Sequence, residues 1–154
     1  MKALTLFQPW ATLVAIGAKK IETRSWTTNY RGPLAIHSSK KFSKENRILT
    51  YGEEYFRETL MKALIIPSQK YGMVPEDLPC GFILAICDLF VVYRIGNNPM
   101  KDGRPISGQE RAFGDYTPGR YMWMLGNIKK LGRPIPVKGA MGLWEWNELP
   151  EVKR

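Results

Sequence analysis

The segment Gly81–Ile95 constrains the fold more than any other part of the chain. It is rich in β-branched and aromatic residues and apolar on both faces except near Asp88 and Arg94. That pattern predicts a central strand covered on both sides. Upstream, Ala3–Leu6 reads as a short strand. Trp10, Leu13, Val14 and Gly17 then follow helical spacing behind Pro9, with Gly17 placed to stop the helix. Lys20–Trp26 alternates as a strand, Asn29–Pro33 is a turn, and Leu34–Ser38 is a further strand. Ser43 is placed to cap a helix running to about Leu64, with Ile48, Leu49, Tyr55, Phe56, Leu60, Ala63 and Leu64 as its apolar stripe. A Pro67–Pro79 loop leads into the central strand. Asn97–Gly119 is polar and punctuated by Gly and Pro, a long loop with a short helix around Gln109–Phe113. Arg120–Lys130 and Gly142–Trp146 read as strands joined by a Pro-rich connection, Gly132–Gly139. Five or six strands with two or three helices predict one α+β domain over residues 1–154 with a mixed, partly closed sheet.

The 154 residues are enough to bury a core without disulfides, and 44% hydrophobic with 24% charged residues is a globular composition. No apolar run approaches the ~18 residues of a bilayer span, so no membrane partner is expected. Met1–Trp10 lacks the long apolar core of a signal peptide. Cys80 and Cys87, with six residues between them, match no common zinc spacing and are too few for a disulfide framework. The expected setting is soluble, reduced and intracellular, in the cytoplasm, with no metal and no cofactor.

The net charge of +9 is unevenly placed. Residues 1–47 hold nine basic and two acidic side chains, and residues 118–154 hold seven and three, while the middle of the chain is near neutral or acidic. The basic residues are interleaved with Trp, Tyr and Ile, as on a folded surface. A basic surface with interleaved aromatics fits a polyanion, most often nucleic acid, although a charge serving only solubility gives the same count.

The most informative stretch is Gly17–Trp26. A glycine ends a helix, and Lys19, Glu22 and Arg24 follow within seven residues. Strand alternation puts Lys20, Glu22, Arg24 and Trp26 on one face, close enough for Glu22 and Arg24 to pair, and Thr23 on the other. With Gln8-Pro9-Trp10 before it and Arg31-Gly32 and Leu34–His37 after it, the pattern Gly-x-Lys-x-x-Glu-x-Arg resembles the ASCH domain, a PUA-like family. The resemblance extends through Arg24-Ser25-Trp26-x-Thr28, Cys87-Asp88-Leu89, Pro134-Ile135-Pro136-x-Lys138-Gly139 and Leu143-Trp144. It implies a small β-barrel surrounded by helices and a basic cleft lined by the Gly17–Arg24 motif. It also implies RNA, another single-stranded nucleic acid, or a modified nucleoside as ligand.

Within that resemblance the residue types suggest roles. Lys19, Arg24, Arg31, Lys40 and Arg120 can neutralise phosphates. Trp10, Trp26 and Tyr116 can stack on unpaired bases, with core packing as the alternative, which is the expected fate of Trp123, Trp144 and Trp146. Glu22 would repel a phosphate backbone. It therefore orients Arg24 or Lys19, accepts hydrogen bonds from a base edge, or acts as a general base. His37 ends a strand beside the implied cleft, in a structural or a ligand-contacting role. Lys129, Lys130, Arg133 and Lys138 form either a solvated rim or further phosphate contacts. Some members of the family are amidohydrolases acting on N4-acetylcytidine through a Lys, a Thr and a distant Glu. Here Lys19 occupies the Lys position, Glu22 stands where the Thr would be, and Glu110 or Asp115 is the candidate distant carboxylate. Three functions follow: binding of nucleic acid through the cleft, hydrolysis of a modified nucleoside or RNA with Lys19 and Glu22 as the catalytic pair, or an accessory domain whose basic surface meets an acidic protein.

Overall fold

A computed structural model describes residues 1–64, 78–101 and 103–147 of the chain. Among these, eight strands and four helices follow in the order β1 (Lys2–Leu6), α1 (Trp10–Ala15), β2 (Ile21–Arg24), β3 (Gly32–Ser38), α2 (Lys44–Gly52), α3 (Glu54–Leu64), β4 (Phe82–Arg94), β5 (Met100–Lys101), β6 (Arg104–Pro105), α4 (Gly108–Phe113), β7 (Tyr121–Pro136) and β8 (Leu143–Glu145). Six strands form one mixed sheet in the order β2-β7-β4-β3-β1-β8, and β5 and β6 pair separately. The β1–β3 pair is parallel and every other pair in the sheet is antiparallel. The result is the mixed α+β, PUA-like architecture, a curled sheet whose edge strands β2 and β8 do not pair.

The core explains this arrangement. Leu4, Leu34, Ile36, Ala85 and Leu89 pack on one face of the sheet with Ala11 and Val14 of α1, over the fully buried Trp123. Ala3, Ala35 and Ile83 turn to the opposite face with Trp146. The central strands are thus apolar on alternate residues of both faces, which demands cover on each side. Leu13 of α1 joins Phe56 and Leu60 of α3 and Phe113 of α4 in a satellite cluster that ties the helices together.

The mixed sheet has six strands, as expected, and the separate β5–β6 pair falls inside the expected Asn97–Gly119 loop. Three expectations are corrected. The helix from Ser43 to Leu64 is two helices. After Gly52, Glu53 turns extended (φ −95°, ψ 127°), and its Oε2 accepts from Phe56 N at 3.3 Å, opening α3. Ile48 and Tyr55 are accordingly exposed rather than in a continuous stripe. The Gly132–Gly139 connection is largely strand, since β7 runs to Pro136 opposite Phe82. Pro134 is tolerated because the register jumps from Lys130 to Ile135, so it faces no ladder position that needs its N–H, and Pro136 ends the strand. Finally, β4 is buried on both faces only in its first half. Phe90 and Tyr93 lie outward, 55% and 50% exposed. Most of the Pro67–Pro79 loop and the side chain of Leu64 fall outside the described residues.

Ser43 caps α2 by accepting from Asn46 N at 3.1 Å. Ser43→Ala is expected to lower the unfolding free energy by about 1 kcal/mol. A urea titration reads this as a lower midpoint at unchanged slope, and an unchanged midpoint would show that solvent replaces the cap.

Candidate functional site

The site is built from the two ends of α1. At its start Gln8 is fully buried. Its Oε1 accepts from Thr12 N at 3.0 Å and its Nε2 donates to Pro79 O at 2.7 Å, which fixes the helix entry and holds Trp10 beside it. Trp10 meets Phe56 edge-on, with centroids 5.9 Å apart. At the other end Gly17 takes φ +80°, and the N–H groups of Ala18 and Lys19 both return to Leu13 O at 3.0 Å. Glycine is needed at this left-handed turn. The turn drives the next lysine inward instead of outward.

Lys19 is 1% exposed. Its Nζ donates to Ile21 O and lies 3.3 Å from Glu22 Oε2. Arg24 approaches the same carboxylate from the other side, Nε to Oε1 at 3.3 Å, and its NH2 donates to Thr5 O at 2.8 Å. Glu22, 8% exposed, thus stands between two cations, one buried behind it and one beside it on the strand face. Across β2, Glu22 lies opposite Trp123 of β7. Trp123 meets Trp26 edge-on at 4.8 Å and donates from Nε1 to Trp26 O at 3.3 Å. The Arg24 guanidinium carbon lies 5.9 Å from the Trp26 ring centre.

These groups open onto a cavity of about 590 Å³. Trp10, Glu22, Arg24, Trp26, His37 and Lys40 line it, six of the residues selected from sequence. Thr5, Leu6, Phe7 and Ser39 line it as well, and residues 138–142 form a further wall. Phe7 and Met141 stand at the mouth, 52% and 97% exposed. The other four selected residues do not line it. Lys19 lies behind Glu22, too deep to meet a phosphate. Arg31 is exposed and folds its NH1 onto Thr28 O and Tyr30 O. Tyr116 packs on the opposite face of β2 against the cluster of Ile21, Ile95 and Met122. Its hydroxyl is buried without a hydrogen-bond partner among the described residues, and burial first, then the charges of Glu110 and Glu22, push it far above the usual phenol range. Arg120 donates from Nε to Asp115 O at 3.2 Å. The physical reason is shared. Thr23 points away from Glu22, and its Oγ1 accepts from Asp115 N at 2.9 Å, so the segment around Tyr116 and Arg120 closes the far side of β2.

Glu110 and Asp115 sit with that far side. Glu110 Oε1 accepts from Lys20 N at 2.6 Å, and burial raises its pKa against the backbone hydrogen bonds from Lys20 and Ile21. Hydrogen bonds from Thr117 hold the Asp115 carboxyl low. Neither lines the cavity. His37 is 2% exposed, and burial lowers its pKa. Among the described residues no group of three His, Cys, Asp or Glu side chains can hold a metal, and no helix is long and apolar enough to cross a membrane. The wall at 138–142 carries residues that strand and helix patterns did not select. The signal present was the Pro-Ile-Pro-x-Lys-Gly run, which contains Lys138 and Gly139.

Comparison with known proteins places this geometry in a lineage. Activating signal cointegrator 1 from Homo sapiens is 26% identical over 142 residues, covering 92% of this chain and 22% of that protein. The Mus musculus protein of the same name is 25% identical over the same extent. The chain therefore spans about a fifth of the length of these relatives. The family model of the ASCH domain matches residues 4–92, which include most of β1, the Gly17–Arg24 segment and most of β4. With more than half of its length under that model, the chain belongs to the ASCH domain family.

Proposed function

We propose that the chain binds single-stranded RNA and takes one unpaired nucleotide into this cavity. The observation that carries the reading is the Glu22–Arg24 pair at the inner end of a cavity walled by Trp10 and Trp26, with Lys40 and Lys138 lining it and both exposed. A volume of about 590 Å³ is in the range of small-ligand sites. An aromatic wall can stack any base, worth about 1–3 kcal/mol. The carboxylate accepts from a base N–H, and the guanidinium hydrogens not used by Glu22 and Thr5 donate to a neighbouring base acceptor. Neither Lys40 nor Lys138 joins an ion pair among the described residues, so both are free for phosphates. The net charge of +9 supplies long-range attraction.

Binding is preferred to hydrolysis because of Lys19. Its Nζ is taken up by Ile21 O and Glu22, and it does not line the cavity, so it serves to hold the carboxylate in place. The chain is expected to leave N4-acetylcytidine unchanged. A reduced, intracellular setting accords with this reading and with two free cysteines.

Titration of a labelled single-stranded RNA at several salt concentrations tests the proposal. Affinity should fall steeply with salt, and Lys40→Ala and Lys138→Ala should each flatten the log–log slope by about 0.7. Unchanged affinity and slope in both variants would remove this cavity as the binding site.

A further inference from the structure

Residues 138–142 of the Val137–Gly142 connection between β7 and β8 form one wall of the cavity. We propose that His37, with Thr5 and Trp144, is a positioning group that clamps this connection and thereby sets Lys138 at the cavity mouth. The consequence for binding rests on the RNA reading above, while the clamp itself does not.

The hydrogen-bond geometry assigns the clamp. Thr5 and His37 face each other across the parallel β1–β3 pair. His37 Nε2 lies 3.0 Å from Val137 O. A carbonyl only accepts, so Nε2 carries the proton, and Nδ1 of the neutral ring is an acceptor. Nδ1 lies 3.1 Å from Thr5 Oγ1. The same hydroxyl is 3.1 Å from Ala140 O and accepts from Trp144 Nε1 at 3.1 Å. Its single proton is therefore shared between Nδ1 and Ala140 O. Two carbonyls flanking Lys138 and Gly139 are held from one point in the sheet, and the Trp144 ring stands edge-on to His37 at 5.5 Å.

Gly139 makes the approach possible. A Cβ there would lie 2.4 Å from His37 Cε1 and 2.9 Å from Thr5 Oγ1. Only glycine lets the backbone descend onto the imidazole. Both ring nitrogens are thus engaged with the protein, so His37 acts through the wall it holds and not by touching a ligand with a free nitrogen. Burial, which disfavours the charged ring and lowers its pKa, favours the same arrangement.

Three readouts test the proposal. The ring nitrogen shifts of His37 should report the neutral Nε2–H tautomer at neutral pH; the Nδ1–H tautomer would overturn the assignment. Amide hydrogen exchange at Val137, whose N–H donates to Gly81 O at 3.1 Å beside the clamped carbonyl, should become about tenfold or more faster in His37→Leu. It should stay near that of the unaltered chain in His37→Gln, whose side-chain N–H reaches toward Val137 O. Gly139→Ala keeps every hydrogen-bonding group and should reproduce the fast exchange, which serves if His37→Leu does not fold. Slow exchange in both variants would overturn the clamp. For single-stranded RNA, His37→Leu and Lys138→Ala should each weaken binding roughly twofold to fivefold. The double variant should bind no worse than His37→Leu alone, because an unclamped Lys138 no longer contributes; additive losses would exclude action through Lys138. If the unaltered chain binds no RNA while the tautomer and exchange behave as stated, the clamp stands and the RNA reading falls.

Discussion

Lys19→Met is expected to lower the unfolding free energy by about 3–5 kcal/mol, the largest loss from any charged side chain of the site. The methionine fills most of the lysine volume, so the loss is electrostatic more than steric. Glu22, 8% exposed, would keep Arg24 as a partner but lose the ammonium 3.3 Å from its other oxygen, and Ile21 O would lose a donor. Removing one member of a buried pair leaves the other uncompensated, which costs far more than the pair itself contributes. The double variant Lys19→Met with Glu22→Gln should therefore recover a large part of the loss. Urea denaturation of both single variants and the double variant closes the cycle. If Lys19→Met is as stable as the unaltered chain, the inward lysine is not what holds Glu22.

Arg24→Met is expected to weaken binding of single-stranded RNA by about tenfold to a hundredfold, the 1.5–3 kcal/mol of a charge-assisted hydrogen bond. Stability should change much less, because Glu22 retains the buried Lys19, while the partly exposed Arg24 gives up its 3.3 Å pairing with Glu22 and its 2.8 Å bond to Thr5 O. Arg24 lines the cavity, links Glu22 to β1 and lies near the face of Trp26, so three features of the inner end lose a common member. Arg24→Lys should recover little, since a single ammonium cannot reach the carboxylate, Thr5 O and a ligand at once. Equal losses of stability and of affinity would mean that Arg24 serves the fold alone.

Much of the site was legible before the fold. Period-two alternation placed Glu22 and Arg24 on one strand face and Thr23 on the other, and the ion pair and the Thr23–Asp115 bond follow that pattern. Gly17 was readable as a helix stop, and its φ of +80° agrees. Lys19 was not legible as a buried residue. Lysine is ordinarily exposed, and only the simultaneous presence of Ile21 O and a carboxylate makes its burial tolerable. Tyr116 and Arg120 had the right chemistry for a ligand, but their segment closes the opposite face of β2. No local pattern records on which side of an edge strand a distant loop will settle.

The sequence by itself determined the kind of object: an α+β chain with a strand covered on both faces over its first half, a basic segment after a helix stop, and membership of the ASCH domain family. Those properties depend on residue type and local spacing, because alternation, glycine turns and charge act over a few residues. Only the tertiary structure decided which groups share the cavity. Thr5, His37 and Lys138 lie far apart in the chain and meet because β1 and β3 pair in parallel while Gly139 lets the 137–142 connection fold down upon them. That meeting depends on close packing between distant segments, where a single Cβ is enough to forbid it.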